Sequence, residues 1–200
     1  MKILIINKSR LSGVGNKIRN SIVSILERDN IVDCINLQTT NIKECINCGG
    51  CAIRNKCINQ NNIYDDYMRI LNKINEADLI INIMPMYNAQ PPAEFKALVD
   101  RGQLVYHSKY THNNSLIDRN KDRKGINIIT CGSSGRKQDD DLMLACMRHF
   151  DRNYNVKNTD NNFIYDIDTL TEDVLTKKIN ILVNNIMKYF EKRLNKQNIK

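Results

Sequence analysis

Residues 2–16 read K-I-L-I-I-N-K-S-R-L-S-G-V-G-N. Lys2–Asn7 is a continuous Ile-rich apolar run, the pattern of a strand buried on both faces. It gives way to a small, polar loop, Ser9 to Asn16. Val14, Ile18, Ile22, Ile25 and Leu26 then recur at helical spacing as far as Asn30. A strand, a short polar loop and an amphipathic helix open a parallel α/β unit.

The alternation continues along the chain. Strands are predicted at 31–37, 78–84, 125–130 and 162–167. Helices are predicted at 63–75 (Ile63, Tyr67, Ile70, Leu71, Ile74), 94–105 (Phe95, Leu98, Val99 inward) and 139–150. A long closing helix carries Leu175, Ile179, Leu182, Val183, Ile186, Met187, Phe190 and Leu194. Residues 107–124 are polar and aperiodic and read as an excursion. Five strands alternating with five helices make an α/β fold with a parallel sheet covered on both sides. Ligands of such folds bind beyond the carboxyl ends of the strands. The loops after the first four strands are therefore the places to search.

Two of those loops have suggestive chemistry. In the first, small residues let backbone N–H groups converge, the Ser9 and Ser12 hydroxyls add donors, and a helix N-terminus supplies partial positive charge. That suits a phosphate. The third glycine of a dinucleotide fingerprint is missing and no Walker lysine follows. The loop after the third strand, Pro85-Met86-Tyr87-Asn88-Ala89-Gln90-Pro91-Pro92, is stiffened by its prolines and offers Tyr87 as an amphipathic aromatic.

The loop after the second strand contains C-I-N-C-G-G-C-A-I-R-N-K-C, residues 45–57. Three thiols two residues apart can wrap one inorganic centre, with Gly49 and Gly50 supplying backbone freedom. The spacing C-x2-C-x2-C-x5-C resembles iron–sulfur ligation more than zinc, for which a second C-x2-C knuckle is wanted. Cys45, Cys48, Cys51 and Cys57 are thus candidate ligands of one [4Fe–4S] cluster; zinc and an empty loop are the alternatives. Lys43, Arg54 and Lys56 flank the motif, either to offset thiolate charge or as plain solvated cations. Cys34, Cys131 and Cys146 read as small buried hydrophobes. The acidic runs Asp65-Asp66 and Asp139–Asp141 stand at helix starts, where the macrodipole alone accounts for them. His107, His112 and His149 are too scattered to suggest ligands, and no general acid or base emerges.

The chain of 200 residues suits one domain, 1–200, with a cysteine-rich insertion loop at about 38–62. Its net charge of +8 divides as +2 over residues 1–100 and +6 over 101–200. Without aromatic interleaving or a recognised motif, that charge does not point to nucleic acid. No apolar run approaches the roughly 20 residues that span a bilayer. Seven cysteines without a signal-peptide pattern predict a cytoplasmic setting and metal or redox work rather than disulfides.

With these loops in view, the chain resembles the flavodoxin-like FMN reductases and, among them, the iron–sulfur flavoproteins, over about residues 1–135. Ser9, Arg10, Gly15 and Asn16 match the loop that holds the FMN phosphate in that family. Pro85, Tyr87, Lys96, Ala97, Asp100 and Arg101 match its P-x-Y loop and K-A-x-x-D-R helix, and the four cysteines match the compact cluster motif. Relatives often have an Asp-Asp pair soon after the last cysteine, where this chain has Asn61 and Asn62. The resemblance implies a flavodoxin-like three-layer sandwich with strand order 2-1-3-4-5. FMN is expected on Ser9, Arg10, Ser12, Gly15, Asn16, Lys17, Pro85, Met86, Tyr87, Asn88, Ala89, Cys131 and Gly132. It implies an oxidoreductase passing electrons between a [4Fe–4S] cluster and FMN. Ferredoxin or NAD(P)H would be the electron-transfer partner, with a small-molecule acceptor and a homodimer or homotetramer. The alternatives are a cluster-free NAD(P)H-dependent FMN or quinone reductase and a zinc-stabilised binding module.

Overall fold

The computed structural model describes residues 1–197, with side chains as far as Lys188. Five parallel strands, β1 (Lys2–Asn7), β2 (Ile31–Asn36), β3 (Leu79–Pro85), β4 (Arg123–Thr130) and β5 (Val156–Ile164), form one sheet in the order β2-β1-β3-β4-β5. The reversal in order falls between β1 and β3, as expected of the flavodoxin-like sandwich.

Because side chains alternate along a strand, each central strand feeds two cores. Leu4, Ile6, Ile80 and Met84 point to one side, where α3 (Tyr67–Glu76), α4 (Ala93–Arg101), α5 (Gln103–Tyr110) and α6 (Lys137–Tyr154) cover the sheet. Ile3, Ile5, Leu79, Ile81 and Ile83 point to the other, against α1 (Val14–Leu26) and α7 (Glu172–Gln197). Within the first core, Tyr67 Oη donates to Arg101 O at 2.8 Å and Tyr154 Oη to Leu98 O at 2.7 Å, tying α3 and α6 to α4. An asparagine ladder crosses the sheet. Asn82 Nδ2 donates to Asn127 Oδ1 at 3.0 Å, and Asn127 Nδ2 to Asn161 Oδ1 at 2.8 Å. The Asn82 and Asn127 amide nitrogens each find a partner in the next strand, whereas Asn82 Oδ1 and the Asn7 amide are buried without one among the described residues.

Several boundaries differ from expectation. The helix predicted from Ile63 begins at Tyr67, and Ile63 is 86% exposed, because the chain is still completing the cysteine excursion there. The predicted helix 94–105 is two helices, α4 and α5, meeting at Gly102, and the second extends into the supposed excursion. β5 begins at Val156, earlier than predicted. As an edge strand it carries the polar V-K-N-T-D-N-N-F-I, in which half-burial erases the apolar signal. Cys131 and Cys146 are buried as expected, but Cys34 is exposed on the edge strand β2. The side chains of Phe190 and Leu194 lie outside the described residues. No helix among the described residues is long and apolar enough to cross a membrane.

Candidate functional site

At the carboxyl rim a cleft of about 480 Å³ opens among the loops after β1, β3 and β4. Its size falls within the roughly 300–1,000 Å³ of small-ligand sites. Of the candidate residues, Ser9, Arg10, Pro85, Met86, Tyr87 and Gly132 line it. Asn88, Ala89 and Cys131, with Met86 and Gly132, line an adjoining hollow of about 450 Å³. Gly13 and Val14 of the first loop also line the cleft, with Thr130 at the end of β4; Lys8, Gln38, Ile167 and Asp168 do so without having been singled out from sequence. Ile167 and Asp168 follow β5, and the pairing of β5 with β4 brings that segment to the rim, where Ile167 N–H donates to Cys131 O at 3.0 Å.

The first loop is shaped by internal hydrogen bonds. Asn16 N–H donates to Ser9 Oγ at 3.1 Å, Asn16 Nδ2 to Leu11 O at 2.7 Å, and Gly13 N–H to Arg10 O at 2.9 Å. Asn16 therefore braces the loop from behind, and the Ser9 hydroxyl is engaged at Asn16 and at Arg10 O. Lys17 points away to an ion pair with Glu172 on α7 at 2.6 Å. Gly13 is closely surrounded, since a Cβ there would stand 2.6 Å from Ser9 Oγ and 3.1 Å from Arg10 O. Gly13 also occupies the N-cap of α1 and offers no side-chain acceptor; of the first three helical N–H groups only that of Asn16 is taken by a side chain, Ser9 Oγ. Among the described residues no hydrogen bond engages the N–H groups of Leu11, Ser12, Val14 and Gly15. Uncapped N–H groups beside a helix N-terminus form an anion-binding concavity.

Across the cleft, Tyr87 and Gln90 exchange two backbone hydrogen bonds of 2.9 Å around Asn88 and Ala89, both at positive φ (48° and 62°). This is the geometry of a type I′ turn, which suits Asn and costs an L-alanine about 1–2 kcal/mol. The turn holds Tyr87, 56% exposed, at the mouth of the cleft. Cys131 borders the adjoining hollow with its thiol pushed up to about 11 by burial, and so is protonated at neutral pH.

The cysteine loop forms a separate cavity of about 160 Å³, whose lining includes Cys45, Cys48, Cys51 and Cys57. It shares no lining residue with the rim cleft. Asn47, Gly49 and Asn55 take left-handed backbone conformations there. They flank a single turn, α2 (Gly50–Arg54), which leaves Cys45 and Cys48 exposed and Cys51 and Cys57 half-buried. The Gly50 N–H facing the Cys48 sulfur lowers that thiol's pKa. Burial raises the pKa of Cys51, and the neighbouring Cys45 and Cys48 raise it further. Among the described residues no three His, Cys, Asp or Glu side chains stand close enough for a single ion.

The surroundings of this cavity were largely invisible in the sequence. Arg101, Gln103, Leu104 and His107 line it from α4 and α5, and His112 Nε2 lies 3.0 Å from Cys51 O. The Asp65-Asp66 pair, explained from sequence by the helix dipole, instead closes the loop: Asp65 is buried against Arg101, and Asp66 accepts from Asn41 N–H. No sequence signal linked residue 65 to residue 101.

The Flavodoxin_2 family, described as a flavodoxin-like fold, has a model that matches residues 1–156. An iron-sulfur flavoprotein of Methanosarcina thermophila is 31% identical over 90 residues, 45% of this chain and 45% of that protein. The chain thus matches less than half the length of that relative. An NAD(P)H:quinone oxidoreductase from Methanothermobacter marburgensis superposes with a TM-score of 0.69 at 15% identity, covering 93% of this chain and 96% of that one. An FMN-dependent NADH-azoreductase from Bacillus anthracis, solved with FMN, superposes with a TM-score of 0.66 at 14% identity, covering 94% and 98%. At these identities the likeness is one of fold.

Proposed function

Because the chain belongs to the Flavodoxin_2 family of flavodoxin-like folds, we propose that it is an FMN-dependent oxidoreductase with the flavin in the rim cleft. One observation carries this reading: a helix start whose first two N–H groups are unengaged faces a stiff aromatic turn across a ligand-sized cleft. Residues Ser9 to Gly15 would receive the phosphate, with Arg10 adding charge, while Asn16 and Lys17 fix the loop and the first turn of α1. Pro85 to Ala89 would meet the ring, with Tyr87 packing on it, and Cys131 and Gly132 would close the far side. Bound FMN supplies one- and two-electron redox chemistry; the protein supplies binding, orientation and exclusion of water.

The donor we favour is NAD(P)H and the acceptor a small molecule, which agrees with the names of the full-length fold neighbours. A second reading adds a [4Fe–4S] cluster on Cys45, Cys48, Cys51 and Cys57, joined to the flavin by electron transfer and served by a ferredoxin-like donor. What favours it is that all four cysteines border one cavity, together with the partial match to an iron-sulfur flavoprotein. Since the two cavities share no residue, a homodimer or homotetramer that brings the loop to a neighbour's flavin would join them.

Anaerobically purified protein tests both readings. The first expects about one FMN released per chain on denaturation and reduction of a quinone or azo dye by NAD(P)H. A colourless protein that fails to bind added FMN refutes it. Iron and sulfide analysis, with visible spectra before and after dithionite, separates the second reading from the first.

A further inference from the structure

The cysteine excursion leaves and rejoins the fold at one narrow neck. Asp66 N–H donates to Asn41 O and Asn41 N–H donates to Asp66 Oδ2, both at 2.9 Å. Lys43 N–H donates to Asp65 Oδ1 at 3.2 Å. Beneath the neck lies the Arg101 guanidinium, as deeply buried as the Asp65 carboxylate, each side chain 1% exposed. Its Nη1 donates to Lys43 O at 2.8 Å, and its Nη2 meets Asp65 Oδ2 at 2.8 Å outside hydrogen-bond geometry. The guanidinium carbon stands 4.3 Å from the centre of the Tyr67 ring. One side chain therefore touches the strand of chain before the first cysteine and the strand after the last.

Two further facts distinguish Arg101 from an ordinary buried ion pair. Its Nε–H is buried without a hydrogen-bond partner among the described residues. It also lines the cavity shared by the four thiols, whereas Asp65 does not. The pair is neutral as a whole, yet only its cationic end borders the cavity. A buried pair of this kind contributes little net stability, but losing one member leaves an uncompensated charge.

We propose that Arg101 is the positioning residue of the cysteine loop, holding its neck closed and presenting the positive end of a buried dipole to the centre that the four thiolates hold. The inference rests on the iron–sulfur reading. Lysine cannot replace it fully, because only the planar fork reaches two acceptors in fixed directions. The potential of a thiolate-held cluster follows the charge and hydrogen bonds around its sulfurs. Removing the cation while keeping Asp65 should therefore lower the potential. Neutralising Asp65 while keeping the cation should raise it.

The test compares Arg101→Met, Arg101→Lys and Asp65→Asn with the parent, all as full-length, anaerobically purified chains. Hydrogen exchange of residues 41–66 is expected to quicken by about tenfold or more in Arg101→Met and by less in Arg101→Lys, with α1 and β3 unchanged. Redox titration is expected to move the cluster potential down in Arg101→Met and up in Asp65→Asn. A clamp without an electrostatic role would move both potentials the same way or neither, and that outcome overturns the dipole. Loop exchange within about twofold of the parent in every variant overturns the positioning role. Should Arg101→Met fail to fold, Arg101→Lys and Asp65→Asn decide the same questions. A parent chain without iron or sulfide defeats the iron–sulfur reading and the dipole with it, while the exchange measurement still decides whether Arg101 positions the loop.

Discussion

Asp151, on α6 beside the Thr159 hydroxyl of β5, offers a quantitative check on the packing of the sheet edge. Its Oδ1 is buried without a hydrogen-bond partner among the described residues. Burial pushes its carboxyl up from 3.8 to about 6, with Thr159 only partly opposing. At about 1.4 kcal/mol per tenfold change in proton affinity, ionising this group in the folded protein costs about 3 kcal/mol more than in the unfolded chain. Residual access to water lowers this, so about 1–3 kcal/mol is the expected range. The sign follows from linkage. The native state holds the proton more tightly, so this contribution is fully present below pH 3.8 and is lost as pH rises through about 6. Asp151→Asn keeps the outline of the side chain and cannot ionise. In urea titrations the variant should be more stable than the parent by about 1–3 kcal/mol at pH 7, and the two should converge as pH falls below 4. Other titrating groups cancel in the difference. Parallel pH profiles, or a variant no more stable at pH 7, would refute the argument.

Three further expectations follow from other sites. Arg123, fully buried at the start of β4, donates to Tyr154 O at 3.0 Å and Asn75 O at 2.9 Å, satisfying carbonyls at the ends of α6 and α3. Arg123→Met should destabilise the fold by about 2–4 kcal/mol in urea titration, since buried acceptors lose a charged donor. Ala89→Gly should raise thermal stability, by about 0.5–1 kcal/mol after the extra entropy of unfolded glycine is subtracted, because only Ala89's positive φ strains the turn. Gly13→Ala should weaken FMN binding by about tenfold in a fluorescence titration, because the new Cβ displaces the Ser9 hydroxyl that shapes the phosphate loop. Unchanged affinity would mean the loop yields without loss.

Local pattern alone determined the alternation of elements, the buried faces of α1 and α4, and two of the three rim loops. Each depends on a periodicity or a turn chemistry that neighbours in sequence supply by themselves. β5 was misplaced because an edge strand buries too little for its pattern to register. The start of α3 was misplaced because Ile63 is apolar yet exposed. The cysteine spacing suggests a common centre; the four cysteines border one cavity, but among the described residues no three ligating side chains stand close enough to share an ion. The floor of that cavity was another matter. Arg101 looked like part of a helix motif and Asp65 like a helix-start acid, and they are 36 positions apart. Only the docking of the segment before α3 onto the end of α4 brings the two charges to 2.8 Å, where exclusion of water turns an unremarkable pair into a constraint on the whole loop. Spacing along the chain carries information about what one segment can wrap. It carries none about which distant side chain will be sealed beneath it.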